Sequence, residues 1–230
     1  MPNYVVLDKR THKDLKISPL KSLKFACDLD FVPILMSEVV PVADILPIVF
    51  TDEKVPKVVA LVSMNGQNLT INDEGKYLEK YVPIFFKSYP FLLLPLADNA
   101  DGRVVCIDES AENLNEIEGK ELFTLNGDET DTLKAIKDFL FQYEELKMQT
   151  NAIVQEIVAS GILDVRELTI GEGNEKKVLV KNFRVVNKEK LYQLEDKKLA
   201  SWVRRGIISF IDIHIASLSK VEDLFQKANI

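Results

Sequence analysis

Short apolar runs separated by turns make up the first half of the chain. All nine prolines lie between Pro2 and Pro95. Proline lacks a backbone donor and disfavours helix at the residue before it, so this half is predicted to contain short strands and short helices. The apolar runs 47–51 and 58–63 are bounded by polar residues, which predicts two paired, centrally buried strands.

Other parts of the first half follow the same rules. The run 36–42 fits either a strand or a short helix, and Pro41 weighs against the helix. Residues 78–88 have the spacing of a short amphipathic helix with Pro83 near its start. Three further runs are predicted as strands: 4–7, 15–17 and 31–34.

A predicted β-hairpin closes the first half. The apolar runs 91–96 and 104–107 stand on either side of the polar segment 98–102. Asp, Asn and Gly in that segment are typical turn residues. The two runs are therefore predicted to pair as antiparallel strands.

A long amphipathic helix is predicted between residues 130 and 160. Its apolar side chains recur mostly every three or four positions. Asp128 or Thr130 provides an N-cap, and Gly161 lies just past the end. The absence of proline after Pro95 allows a helix of this length.

The rest of the second half is predicted as one hairpin and two terminal helices. Runs 165–170 and 178–186 form the hairpin, and 188–205 and 207–227 form the helices. The β-branched residues between 207 and 215 keep a strand open as an alternative there. No linker divides the chain, so we predict a single α+β domain over residues 1–230.

Charge and hydropathy weigh against a nucleic-acid-binding protein and against a membrane-spanning one. The net charge is −7 and the pI is about 5.1, whereas binding to nucleic acid needs a concentration of Lys and Arg. The most apolar window, 82–97, is too short and too interrupted by Lys87 and prolines to span a bilayer. Without an export signal the default location is cytoplasmic, and export to the cell surface by a signal-independent route stays open.

The two cysteines and two histidines point to no metal or cofactor. Cys27 and Cys106 lie in apolar contexts, where free buried thiols are the common state. His12 is predicted to be solvated, and His214 to be in the core or a cap, since neither has a second ligand-type residue at metal-binding spacing. A Cys–His nucleophilic pair would need the fold to bring the two together.

Acidic residues at the ends of the first hairpin form the candidate site. If Asp98, Asp108 and Glu109 converge at one rim of the sheet, paired carboxylates there would serve acid–base catalysis or hold a cation. Cys106 and His214 complete this candidate set. The simpler interpretation, which we favour, is that the acids form turns through hydrogen bonds to the backbone.

A second candidate surface lies at the end of the helix predicted over 188–205. Arg204 and Arg205 place positive charge at the negative end of the helix dipole, which is a sufficient structural reason for them. Binding of an anion or a protein partner is the alternative. Trp202 is predicted to pack between helices, with an interface role as its alternative.

Six short segments together resemble the SapC-like family. They are FVPI (31–34), PIVF (47–50), YVP (81–83), YPF (89–91), CIDE (106–109) and RRGII to HIASL (204–218). The family is named for a protein encoded with surface-layer genes in a bacterium. The resemblance implies a structural or accessory role in the bacterial surface layer or envelope, and it assigns no catalytic residue.

Three functional hypotheses follow. The first is a non-catalytic accessory or binding protein linked to the surface layer, with a protein or surface-layer component as partner. It rests on the resemblance and on the absence of the common nucleotide-binding, hydrolase and zinc-protease motifs. The second is an enzyme that acts on a peptide or small molecule at the rim of Asp98, Asp108 and Glu109. The third is a homo-oligomeric scaffold assembled through its helices.

Overall fold

The computed structural model describes residues 3–96, 99–171 and 176–229, without the side chains of residues 99–101. The strands in these ranges are β1 (Tyr4–Val6), β2 (Lys16–Ile17), β3 (Phe31–Pro33), β4 (Ile48–Thr51), β5 (Val58–Leu61), β6 (Ser63–Met64), β7 (Gln67–Asn68), β8 (Phe91–Leu96), β9 (Asn99–Asp108), β10 (Leu114–Asn115), β11 (Lys120–Glu121), β12 (Leu163–Ile170) and β13 (Lys177–Val186). The helices are α1 (Val39–Ala43), α2 (Ile84–Ser88), α3 (Asp131–Ala159), α4 (Lys188–Tyr192), α5 (Asp196–Arg204), α6 (Ile207–Ser217) and α7 (Val221–Lys227).

The largest sheet has five antiparallel strands in the order β12-β13-β4-β5-β3. Every residue of β4 and β5 is buried, so both faces of the sheet are covered at its centre. Helices α1 and α6 contact β4, and α3 contacts β5. The prediction of two paired central strands is confirmed.

A second sheet, with the order β1-β9-β8, contains the first predicted hairpin. Its strands β8 and β9 pair antiparallel from Phe91 opposite Ile107 to Leu94 opposite Val104 and beyond. Residues 97 and 98 of the predicted turn lie outside the described residues. The short strand β1 pairs with the other edge of β9.

The 29-residue helix α3 connects two hydrophobic cores. Leu133 and Leu140, in its first half, pack in a small core with the β1-β9-β8 sheet. Val154 and Ile157, in its second half, pack in the main core. The Thr130 hydroxyl accepts a hydrogen bond from the N–H of Leu133 at 3.3 Å, which confirms Thr130 as the N-cap.

The structure decides one open alternative and corrects one helix prediction. Residues 39–43 are helical although they contain Pro41. Pro41 is the third residue of α1, where a backbone N–H has no partner inside the helix, so its missing donor costs little. The helix predicted over 188–205 is divided into α4 and α5. Helix α5 begins at Asp196, directly after Glu195, and these acidic side chains favour a new helix N-terminus.

The α+β class is confirmed, because the structure combines several small antiparallel sheets with one long helix and a group of C-terminal helices. Within the described ranges, no helix combines the length and the apolar character needed to cross a membrane.

Candidate functional site

A cleft of about 810 Å³ lies beside the end of β9. One wall is the segment 18–29, which contains little regular structure, and the other is the segment 108–118. Its charged lining is acidic on balance, with four carboxylates against two lysines: Asp28, Asp108, Glu112, Glu118, Lys21 and Lys24.

Asp108 binds three separate parts of the chain at the edge of this cleft. Its side chain is buried, and Oδ1 accepts hydrogen bonds from the N–H of Asn3 at 2.9 Å and from the N–H and Oγ of Ser110 at 3.1 and 2.6 Å. Its Oδ2 accepts from the hydroxyl of Tyr89 at 2.9 Å. Four donors therefore converge on one carboxylate.

These hydrogen bonds fix the charge state of Asp108. Burial by itself would raise the pKa of Asp108, but the hydrogen bonds from Ser110, Asn3 and Tyr89 outweigh it and lower the pKa below the usual value. Burial and the neighbouring Asp108 carboxylate raise the pKa of the Tyr89 hydroxyl. At neutral pH Asp108 is a charged acceptor and Tyr89 a donor, which suits a structural clamp better than proton transfer.

Tyr89 is held by a second contact inside the cleft. Its ring stacks on that of Phe25, with centroids 3.7 Å apart and planes 7° from parallel. Both residues line the cleft. The stacked pair therefore joins the segment 18–29 to the hydrogen-bond cluster of Asp108.

Glu109 pairs with His12 rather than with another acid. The His12 ring is 8% exposed, so the prediction of a solvated His12 was wrong. Its Nδ1 lies 3.0 Å from the backbone nitrogen of Asp8 and 3.1 Å from the carbonyl oxygen of Asp8, and its Nε2 lies 3.3 Å from Oε1 of Glu109. With Nδ1 occupied and Nε2 paired to Glu109, the imidazole links the turn after β1 to the end of β9.

Asp98 lies outside the described residues. The described strand β9 begins at Asn99, nine positions before Asp108. At about 3.4 Å per residue, its two ends lie roughly 30 Å apart. The structure therefore does not bring Asn99, the first residue of β9, near the carboxylates of Asp108 and Glu109.

Cys106 is buried between Val6 and Leu92 on the neighbouring strands. Burial raises the pKa of its thiol, and burial likewise raises the pKa of Cys27. A protonated thiol is a poor nucleophile. Both cysteines are free, as predicted.

His214 lies in the main core, on α6, and bridges two strands. Its Nε2 accepts a hydrogen bond from the N–H of Val186 at 3.1 Å, and its Nδ1 donates to the carbonyl of Ile48 at 2.7 Å. These partners belong to β13 and β4, whose direct pairing covers only Phe183 with Thr51 and Arg184 with Phe50. The imidazole therefore continues the connection where the strands separate, which confirms a core role and places His214 away from Asp108.

Trp202 and Arg205 bind one carboxylate on α3. Trp202 is fully buried, and its Nε1 donates to Oε1 of Glu156 at 2.6 Å. Nη1 of Arg205 lies 2.7 Å from Oε2 of the same side chain. These contacts hold α5 against α3, in agreement with the predicted packing role of Trp202. Arg204 is exposed.

The sequence did not indicate Asn113, which lies on the cleft wall and is 6% exposed. Its Nδ2 donates to the carbonyl of Ser18 at 3.3 Å, while its Oδ1 is buried without a hydrogen-bond partner among the described residues. Such an atom is uncommon in a folded protein. Only proximity in the fold identifies it, because an Asn in the sequence ENLN reads as an ordinary loop residue.

No group of three or more His, Cys, Asp and Glu side chains in the described parts of the chain is arranged to hold a metal ion. The acids of the cleft are instead separate from one another or bound to backbone donors, as Asp108 is.

Comparison with known proteins gives one result. No curated protein and no solved structure matches the chain. The SapC family model matches residues 7–224, which include both hydrophobic cores and the cleft. The chain belongs to the SapC family.

Proposed function

We propose that this protein is a non-catalytic binding protein of the bacterial surface layer or envelope, and that the cleft beside Asp108 receives a polypeptide segment of its partner. The observation that supports it most is the structural use of Asp108, whose carboxylate is occupied by four hydrogen bonds. A general base works best with a pKa near the working pH, and these hydrogen bonds lower the pKa of Asp108 below its usual value.

The lining of the cleft supports a polypeptide as the occupant. The excess of carboxylates over lysines favours a segment that contains Lys or Arg. The link to the surface layer rests on the family resemblance.

Reversal of one charge in the cleft tests the proposal. We expect the protein to bind a purified surface-layer protein of its own organism, and Glu112→Arg to weaken that binding about tenfold, since it repels a basic segment. Isothermal titration calorimetry measures both affinities. The matched control is Glu116→Arg, which makes the same change at an exposed position outside the cleft lining.

The possible results test the identity of the partner and the place where it binds independently of each other. If the unaltered protein shows no binding, the surface-layer role is wrong. If it binds and Glu112→Arg affects affinity no more than Glu116→Arg, the partner is right and the cleft is not where it binds.

A second candidate function, a homo-oligomeric scaffold, is favoured by the exposed face of α3. Phe141 and Met148 are 47% and 51% exposed and lie seven residues apart, which places them on one side of the helix. If α3 is the interface, light scattering should give a multiple of the monomer mass, and Phe141→Glu with Met148→Glu should reduce it to the monomer. A monomer at all concentrations would exclude this function.

A further inference from the structure

A second cleft, of about 600 Å³, is also lined by Tyr89, but its floor is apolar, whereas the charged lining of the first cleft is acidic. It lies between β2, the start of β8 and the first turns of α3. Its volume is within the range of roughly 300–1,000 Å³ that is usual for small-molecule sites. Neither the family nor the proposed function assigns it a role.

The floor of this second cleft is apolar. Phe91 and Leu140 are buried, and Ile136 and Phe139 are partly buried, all of them belonging to the small core or packed against it. Ile136, Phe139 and Leu140 follow one another at helical spacing on α3, so they form a continuous surface. A ligand that lies on this surface would remove apolar area from water.

Two lysines line the same cleft. Lys87 and Lys120 are both exposed, and within the described parts of the chain neither forms an ion pair. The one acid of the lining, Asp131, lies 3.5 Å from Lys134 instead. Two ammonium groups therefore lie beside the apolar floor with one carboxylate in the same lining.

We propose that this second cleft binds an amphipathic anion, namely an acyl chain that ends in a carboxylate. The chain lies on Phe91, Ile136, Phe139 and Leu140, and the carboxylate lies near the ammonium groups of Lys87 and Lys120. Apolar contact with the floor provides most of the affinity, and the two lysines select an anion over a neutral or cationic head group. Both a free fatty acid and an anionic lipid contain this chemistry.

The test compares ligands that differ only in their head group. We expect calorimetry on the full chain to show one site for decanoate, with decanol about tenfold weaker and decylamine weaker still, because the neutral and cationic groups lose the attraction to two ammonium groups. Vesicles of anionic phospholipid are the second arm. Binding to vesicles without binding to monomeric decanoate would contradict the proposal and indicate a membrane surface instead.

Matched variants locate the site. Lys87→Gln with Lys120→Gln should reduce decanoate affinity about tenfold, to that of decanol. Lys181→Gln with Lys188→Gln makes the same change in net charge at exposed residues outside the cleft and should change nothing. Ala135→Trp fills the cleft from an exposed position and should abolish binding.

Three outcomes would overturn the proposal. They are the absence of decanoate binding, equal affinity for decanol and decanoate, and unchanged binding in Ala135→Trp. If Ala135→Trp does not fold, as judged by circular dichroism, the lysine pair and its control decide the question alone. None of these results bears on the surface-layer partner, which the cleft beside Asp108 is proposed to bind.

Discussion

Between pH 6.5 and pH 4 we expect this protein to lose about 3 kcal/mol of unfolding free energy through His214 alone. Burial lowers the pKa of His214 from 6.5 to about 4, against a smaller opposing effect of its hydrogen bond to Ile48. As the pH falls through this range, the unfolded chain takes up a proton that the folded chain excludes. The contribution of His214 to the unfolding free energy is therefore fully present above pH 6.5 and declines toward pH 4.

The hydrogen bonds of His214 give the physical reason for this loss. Protonation would put a second N–H on the ring and direct it at the N–H of Val186, which is itself a donor. The hydrogen bond between Val186 on β13 and the ring would then be lost, and with it the connection between β13 and β4 through His214. Since His214 is fully buried, water cannot replace the missing acceptor.

Urea denaturation from pH 8 to pH 4 measures this effect. His214→Gln should give a flatter pH dependence than the unaltered protein, and the difference between the two curves isolates His214 from the carboxylates that also titrate near pH 4. His12→Gln removes the other histidine and should leave that difference in place. Parallel curves for the unaltered protein and His214→Gln would show that the ring does not titrate as expected.

Replacement of Asp108 by Ala should destabilise the protein by roughly 2–3 kcal/mol at pH 7. The substitution removes the acceptor of the N–H of Asn3, the N–H of Ser110 and the hydroxyl of Tyr89, all in part-buried hydrogen bonds. It also releases the three segments that meet beside the cleft. Because the pKa of Asp108 is lowered, its contribution is present at neutral pH and is lost only as the pH falls below about 3.8.

The adjacent residue provides the control. Glu109 is 44% exposed and pairs with His12 at 3.3 Å, so Glu109→Ala should cost no more than about 1 kcal/mol. Urea denaturation of both variants at pH 7 gives the comparison. If Asp108→Ala is as stable as Glu109→Ala, the carboxylate is not a structural clamp, and the catalytic hypothesis for this rim gains support.

Many strands and helices were predictable, because each depends on the spacing of apolar and polar residues that are neighbours in the sequence. The apolar runs of β4 and β5 are continuous because both faces of these strands are buried. The spacing of α3 is regular because one stripe of the helix packs against two cores. The strand and helix alternatives at 36–42 stayed open because the rule against proline in helices has a positional exception, which applies to Pro41 in the first turn of α1.

The candidate site was predictable only in part. Asp108 does line a cleft and Glu109 does pair with His12, and their sequence suggested both a site and a turn. Their partners Asn3, His12 and Tyr89 were not predictable, since they lie 105, 97 and 19 positions away. A hydrogen bond across such a separation has no periodic pattern in the sequence.

The buried carboxylate of Glu38 is a further example. It is 1% exposed and accepts hydrogen bonds from the N–H of Leu35, the hydroxyl of Tyr81 and the N–H of Ile84. In the sequence MSEVV it reads as an exposed acid. Three donors supplied by two separate segments make its burial tolerable.

The sequence by itself determined the α+β class, the central strands, the long helix and the SapC resemblance, because hydrophobic period, prolines and short motifs are properties of neighbouring residues. The tertiary structure alone decided that His214 bridges two strands, that Asp108 collects four donors, and that Lys87 and Lys120 meet one apolar floor. The physical reason is that charge state, hydrogen bonding and burial depend on which distant groups the fold brings within about 3 Å.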